Sequence, residues 1–349
     1  MDIKRRRELT MKERNSIAPA CPSVPLEWSV KRNHKLLKGL IRFKTTMNKT
    51  KLFLLILLGL AGARATAQVK RPVITFASDT QEPMWIEKLF LKSDRNLEAT
   101  RMIFSDVDAV HPAAFFILGD VVSLGKSDKA WKNIDKYIKQ TTQDSIPVYA
   151  TLGNHEVMFN AKKGTEKFKI RFPMYNPAGY TEIVDSVAIV LLNSNFNAMT
   201  ADAINNQNTW YIQKLAALDA DPAVKFVIVG CHHSPYTNSK IVGPSIPVQR
   251  NFVPAFIKSK KCVLFLSGHS HNFERFKVEG KYFLVIDGGG GLHQPLNASN
   301  AKFHDLSSDY KPMFHYLEVR RDHDALQVLS RQLKPDFSGF TDGLLFSVR

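Results

Sequence analysis

Short apolar runs recur along this chain, and each stops abruptly at polar residues. They are Val73-Ile74-Thr75-Phe76, Ala114-Phe115-Phe116-Ile117-Leu118, Val148-Tyr149-Ala150-Thr151, Phe226-Val227-Ile228-Val229 and Val263-Leu264-Phe265-Leu266. Runs of this length, rich in β-branched and aromatic residues, predict strands buried on both faces. Helical spacing fills the gaps, over about 84–109, 128–141, 207–219 and 249–258; in the second, Trp131, Ile134, Tyr137 and Ile138 share one face. Residues 157–178, with Pro173 and Pro177, read as an irregular insert, and 180–185 with 187–193 as a hairpin.

After His271 the texture changes. Phe273–Val278 and Lys281–Ile286 flank a Glu279-Gly280 turn, four glycines (Gly288–Gly291) follow, and Phe314–Val319 and Ala325–Leu329 read as further antiparallel strands. Leading βαβ units and closing antiparallel strands predict an α/β fold, with two sheets stacked between helix layers.

The N-terminal 67 residues lie outside that pattern. Met47–Lys51 is a short basic region, Leu52–Gly62 an apolar run of eleven residues, and Ala65-Thr66-Ala67 a small-residue cleavage site. Together, 47–67 read as a signal peptide cut before Gln68. The run is shorter than the roughly 20 residues a spanning helix needs, so no stable membrane anchor is expected. Residues 1–46 precede the signal and read as a misassigned extension, the alternative being a basic cytosolic tail. The domain proper is then 68–349, exported to the periplasm or secreted.

This division changes the charge argument. Of 48 basic and 32 acidic residues, 15 and 4 fall in 1–67, leaving 33 and 28 for 68–349. The basic excess sits mostly in the discarded end, so no nucleic-acid partner is expected. Cys231 and Cys262, at opposite ends of adjacent runs, are placed roughly 20 Å apart by strand rise and are expected as unpaired buried thiols.

The candidate chemistry is in the polar stops. Ser78-Asp79-Thr80-Gln81, Gly119-Asp120, Gly153-Asn154-His155-Glu156, His232-His233 and Gly268-His269-Ser270-His271 each follow a predicted strand. Carboxyl ends of strands in an open α/β sheet face one crevice, so these residues should converge. A mixture of carboxylate, amide oxygen and imidazole suits first-row metal ions. Asp120 alone could equally cap the next helix, and Gly153-Asn154 could be a plain turn. In an extended segment His269 and His271 would face the same side. One of His232 and His233 is expected as a ligand, the other lining the pocket.

The ordered set resembles the calcineurin-like metallophosphoesterase superfamily, whose pattern is D-x-H, G-D, G-N-H-E/D, a His after a strand, and G-H-x-H. The run His269-Ser270-His271-Asn272-Phe273-Glu274-Arg275 is similar to the purple acid phosphatase branch. The resemblance implies a four-layer α/β/β/α sandwich of two mixed sheets flanked by helices. It implies two divalent or trivalent ions (Fe, Mn or Zn) and hydrolysis of a small-molecule or protein phosphoester by a metal-activated water. Carried over by position, Asp79, Gln81 and His271 resemble ligands of the first metal. Asp120 resembles the bridge, Asn154, His232 and His269 the ligands of the second, and His155 the catalytic residue beside the leaving group. Two positions depart from the pattern. Gln81 offers an amide oxygen where the family has His, the alternative being that water fills its place, and Ser123 stands where purple acid phosphatases carry Tyr, so a redox-active iron centre is not expected. The alternatives are a phosphodiesterase or nucleotidase, and a non-catalytic binder of phosphorylated ligands. Specificity is expected from the insert at 157–178 and the loops near 237–250.

Overall fold

The computed structural model describes residues 71–84, 95–290, 294–297 and 301–349. The signal peptide and the upstream extension lie outside these residues.

Five of the apolar runs form parallel strands, in two sheets. β1 (Val73–Ala77), β2 (Ala114–Ile117) and β3 (Val148–Ala150) lie side by side in one. β6 (Phe226–Gly230) and β7 (Cys262–Ser267) lie in the other. β4 (Tyr180–Val184) and β5 (Val187–Leu191) form the expected hairpin, and β5 runs parallel to β6. β8 (Glu274–Val278) and β9 (Lys281–Val285) also pair, but β9 takes the place beside β7 and leaves β8 at the edge. The closing strands β10 (His315–Asp322), β11 (Ala325–Leu333) and β12 (Phe340–Val348) return to the first sheet, β10 antiparallel to β1. The sheet orders are β12-β11-β10-β1-β2-β3 and β4-β5-β6-β7-β9-β8.

Alternation along the second sheet shows how the layers stack. Val187, Ile189, Leu191, Phe226 and Ile228 join Phe76, Phe116 and Leu317 of the first sheet in one core. Their neighbours Ala188, Val190, Leu192, Val227 and Val229 face a second core built on Tyr211, Phe252 and Phe256 of the outer helices. A strand puts successive side chains on opposite faces, so an apolar residue at every position serves both cores. On the first sheet Phe115 meets Phe104 of the covering helix edge-on, at 5.4 Å between ring centres, while Phe116 stacks on Phe76 and Tyr149. The result is the α/β/β/α sandwich of two mixed sheets flanked by helices.

The helices differ from expectation in instructive ways. α1 (Asn96–Val110) ends where His111 takes a left-handed backbone ahead of Pro112; residues 85–94, where it was expected to begin, are outside those described. α2 (Asp128–Gln143) starts on a Ser127 cap. The insert is not wholly irregular: after the short α3 (Asn154–Val157), α4 (Ala161–Arg171) occupies half of it. α4 buries only Gly164 and Phe168, so it has no apolar stripe. An Asn160 cap and the packing of Phe168 on Trp131, Phe172 and Tyr175 hold it in place. α5 (Ala201–Ala220) begins at a Thr200 cap, six residues before the expected start. The helix expected at 249–258 is two, α6 (Ile246–Asn251) and α7 (Val253–Lys258). The break falls where Pro254 lacks the N–H that would reach back one turn. β12, not expected at all, is an edge strand with a single buried residue, Val348. Cys262 sits beside Val227, four residues before Cys231, and both thiols are free and buried. Among the described residues no helix is long and apolar enough to cross a membrane.

Candidate metal centre

The polar stops of both sheets meet at one edge of the sandwich. Asp79 follows β1, Asp120 follows β2, Asn154 opens α3 after β3, His232 follows β6, and His269 and His271 follow β7. Backbone bonds weld these loops. Asp79 N–H donates to Gly119 O at 3.0 Å, Thr80 N–H to Asp120 O at 2.9 Å, and Gly268 N–H to His232 O at 2.9 Å. A Cβ on Gly153 would overlap the Asp120 carboxylate, and one on Gly268 would overlap Ser78 and Asp79. That is the physical content of the two motif glycines. Gly288 and Gly290 close over the Ser78–Gln81 loop in the same way, Gly289 abuts Thr100 of α1, and Gly290 N–H donates to Asp79 O at 2.6 Å.

Four of the candidate donors sit in the left-handed backbone region: Asp79 (φ 52°), Asp120 (φ 47°), His269 (φ 71°) and His271 (φ 42°). Such conformations cost about 1–3 kcal/mol each and persist where the surroundings fix them, commonly at functional sites. They also correct the expectation for His269 and His271. The two do not lie in an extended segment. His269 turns to His232, Nδ1 to Nε2 at 3.2 Å, while His271 Nε2 lies 3.1 Å from Asp79 Oδ1.

The donors form two groups. Asp79, Asp120 and His271 place one donor atom each within 4.8 Å of one another, and so do His232, His233 and His269. Asp120 joins them, since its Oδ2 is 3.2 Å from His232 Nε2. His232 Nε2 also lies 3.0 Å from Asn154 Oδ1. Its Nδ1, 3.0 Å from the Leu118 carbonyl, must carry the proton, because a carbonyl only accepts; Nε2 is thereby aimed inward as the donor atom. His155 is held likewise, Nδ1–H donating to Ser123 O at 2.9 Å and Nε2 facing Asp120 Oδ2 at 3.8 Å. His233 stands behind His269, with ring centres 4.5 Å apart and Nδ1 2.8 Å from Ser194 Oγ.

Gln81 supplies the test of whether these residues fit metal ions. Its Oε1 is buried with no hydrogen-bond partner, and its Nε2 lies 3.4 Å from a His271 nitrogen already paired with Asp79. Amide oxygen and nitrogen exchange by a half-turn, which would put the oxygen among Asp79 and His271. With the amide so turned, its oxygen joins two carboxylates and several imidazoles, a donor set that suits a cation.

Electrostatics agree. Burial would raise the Asp120 carboxyl, but His232 and His155 hold it far below the usual carboxylate range. His271 does the same for Asp79 against burial. Burial opposes charge on His232 and His271, yet Asp120 and Asp79 push them up to about 9 and about 10. Burial and the neighbouring His232 charge hold His269 well below its ordinary value, and bring His233 down to about 3.

The structure brings Asp79, Gln81, Asp120, Asn154, His155, His232, His233, His269 and His271 together at this edge. The role of Glu156 went unrecognised. Its buried carboxylate accepts Gly153 N–H at 2.7 Å, Asp120 N–H at 2.9 Å and Val122 N–H at 3.1 Å. It ties the two motif loops together, and burial with the Asp120 charge pushes it up to about 7. The segment after β5, Asn193-Ser194-Asn195, also went unrecognised; its signal was a polar run at a strand end like the other five.

Comparison with known proteins agrees with this geometry. The calcineurin-like phosphoesterase family model matches residues 72–273. No curated protein matches the sequence itself. Among solved structures, a purple acid phosphatase from yellow lupin (Lupinus luteus) seeds aligns with a TM-score of 0.55 and 16% identity over 80% of this chain and 54% of that one. The chain thus spans about half the length of the lupin protein. GAP50, the anchor in the inner membrane complex of Plasmodium, aligns with a TM-score of 0.55 and 14% identity over 78% of this chain and 88% of that one. At such identities the likeness is one of fold. The family match covers more than half of the chain, and the chain belongs to the calcineurin-like phosphoesterase family.

Proposed function

We propose that this protein is an exported dinuclear metallophosphoesterase. Asp79, Gln81 and His271 would hold one ion, Asn154, His232 and His269 the other, with Asp120 shared between them. Bound there, two such ions supply a water acidified toward neutrality and positive charge for the phosphoryl oxygens. The observation that carries the reading is the pair of donor groups joined at Asp120.

The chain's own residues do the rest. The Leu118 carbonyl fixes His232 in the tautomer that points Nε2 inward. Glu156 keeps the Asp120 and Asn154 loops in register. His155, oriented by Ser123 O through Nδ1–H, would give a proton from Nε2 to the departing oxygen.

Export rests on the signal-like segment 47–67, and N-terminal sequencing of exported protein should give Gln68 as the first residue. A non-catalytic role is favoured by one observation, Gln81 where the family has His, and GAP50 is an anchor on this fold. Turnover of p-nitrophenyl phosphate and its bis-ester with added Mn²⁺, Zn²⁺ or Fe²⁺ separates the readings. Metal-dependent hydrolysis is the expected result; metal binding without turnover would favour the binder.

A further inference from the structure

Beside the donors lies a cleft of about 340 Å³, within the range of small-molecule sites. Asn154 and Val157, either side of His155, form one wall; Ser194, Asn195 and Phe196 form another with His233. Among the described residues that line it there is no Lys, Arg, Asp or Glu. The wall after β5 is built, not loose. Asn195 Nδ2 donates to Leu152 O at 3.0 Å and to Asn193 Oδ1 at 2.9 Å, which leaves its Oδ1 as an acceptor. Gln207 of α5 bonds Asn193 through both backbone atoms, at 2.9 Å each. Phe196 is braced on Phe252, with ring centres 5.3 Å apart, so its ring has a fixed attitude.

We propose that this cleft receives the alcohol part of the ester, and that it selects an uncharged, hydroxyl-bearing ring such as a nucleoside or a sugar. The proposal rests on phosphoester hydrolysis at the adjacent donors. Hydroxyls would meet asparagine and serine, and a flat ring face would lie on Phe196. An anionic alcohol would lose hydration there with no cation to meet it. A charged leaving group, such as a second phosphate or an acidic peptide, is therefore disfavoured.

Two measurements test this. The first compares kcat/KM for adenosine 5′-monophosphate and glucose 6-phosphate with ADP, glucose 1,6-bisphosphate and an acidic phosphoserine peptide. The uncharged leaving groups should win by about tenfold or more, and the first two substrates show which ring is preferred. Phe196→Ala should raise KM for the preferred substrate about tenfold with little change in kcat. Phe196 also packs on Phe252, so a second variant is needed. Ala198→Lys adds a cation at an exposed lining position and should improve ADP relative to adenosine 5′-monophosphate about tenfold. The second measurement, saturation-transfer NMR of metal-free protein with adenosine and with glucose, needs no turnover. If p-nitrophenyl phosphate is not hydrolysed but one of these binds and Phe196→Ala abolishes it, the hydrolytic reading fails and the cleft assignment stands. If neither binds, or ADP, the bisphosphate and the peptide match the neutral substrates and Ala198→Lys leaves the ratio unchanged, the proposal is overturned.

Discussion

Replacing Glu156 by Gln tests whether a buried carboxylate holds the site in register. Glu156 Oε2 takes two backbone N–H groups, from Asp120 and Gly153, and Oε1 takes one, from Val122. Glutamine keeps the shape but turns one acceptor into a donor. Its better orientation sets Nε2 against Val122 N–H, loses that bond and weakens the other two from charged to neutral. Bonds to a charged acceptor are worth about 1.5–3 kcal/mol and neutral ones about 0.5–1.5. The gross loss is then about 3–5 kcal/mol. Removing a buried charge beside Asp120 offsets roughly half, because burial and that repulsion already push Glu156 up to about 7. A net loss of about 2 kcal/mol lowers the melting midpoint of the metal-free protein by roughly 3–4 °C at this size. Turnover should fall further than stability, since a shift of about 1 Å in the Asp120 or Asn154 loop can cost about 100-fold. Calorimetry of metal-free protein and steady-state hydrolysis of p-nitrophenyl phosphate measure the two effects. A midpoint within about 1 °C of the parent's, with kcat within about twofold, would refute the clamp.

Three further outcomes follow from the same geometry. Asp120→Asn should empty both sites by elemental analysis and cost more than the roughly 10–100-fold typical of residues behind a ligand; a variant that keeps both ions would disprove sharing. His155→Ala should keep its metal and slow esters of poor leaving groups about 10²–10⁴-fold, with a smaller effect on p-nitrophenyl phosphate; equal losses would argue against proton donation. In metal-free protein His232 and His271 are raised to about 9 and about 10 from 6.5, so their contribution to stability is complete below pH 6.5 and is lost as pH rises through those values. Metal needs the neutral rings and must expel their protons, so the midpoint without metal should fall from pH 7 to 10 while the gain from added metal grows; parallel pH slopes with and without metal would contradict this.

Much of the architecture was legible because its cause is local. A strand buried on both faces must be apolar at every position, and Phe226–Val229 or Val263–Leu266 can hardly be anything else. A ligand at its carboxyl end then reads as a sudden polar stop, which is how Asp79, Asp120, Asn154, His232, His269 and His271 declared themselves. What was not legible depends on partners distant in sequence. α4 has no apolar stripe and is held by one phenylalanine in an aromatic cluster. β12 is an edge strand with little to bury. The left-handed turns at His269 and His271 come from loops welded across two sheets, which alternation along one segment does not reveal. The grip of Glu156 on three backbone N–H groups has the same origin.

The central claim is that the two donor groups joined at Asp120 work together on a phosphoester. Titrating metal-free protein with Mn²⁺ or Zn²⁺, while following both bound metal and hydrolysis of p-nitrophenyl phosphate, tests it most directly. Hydrolysis should reach its plateau only as the second equivalent binds. A plateau at one equivalent, or two bound ions with no hydrolysis, would contradict it.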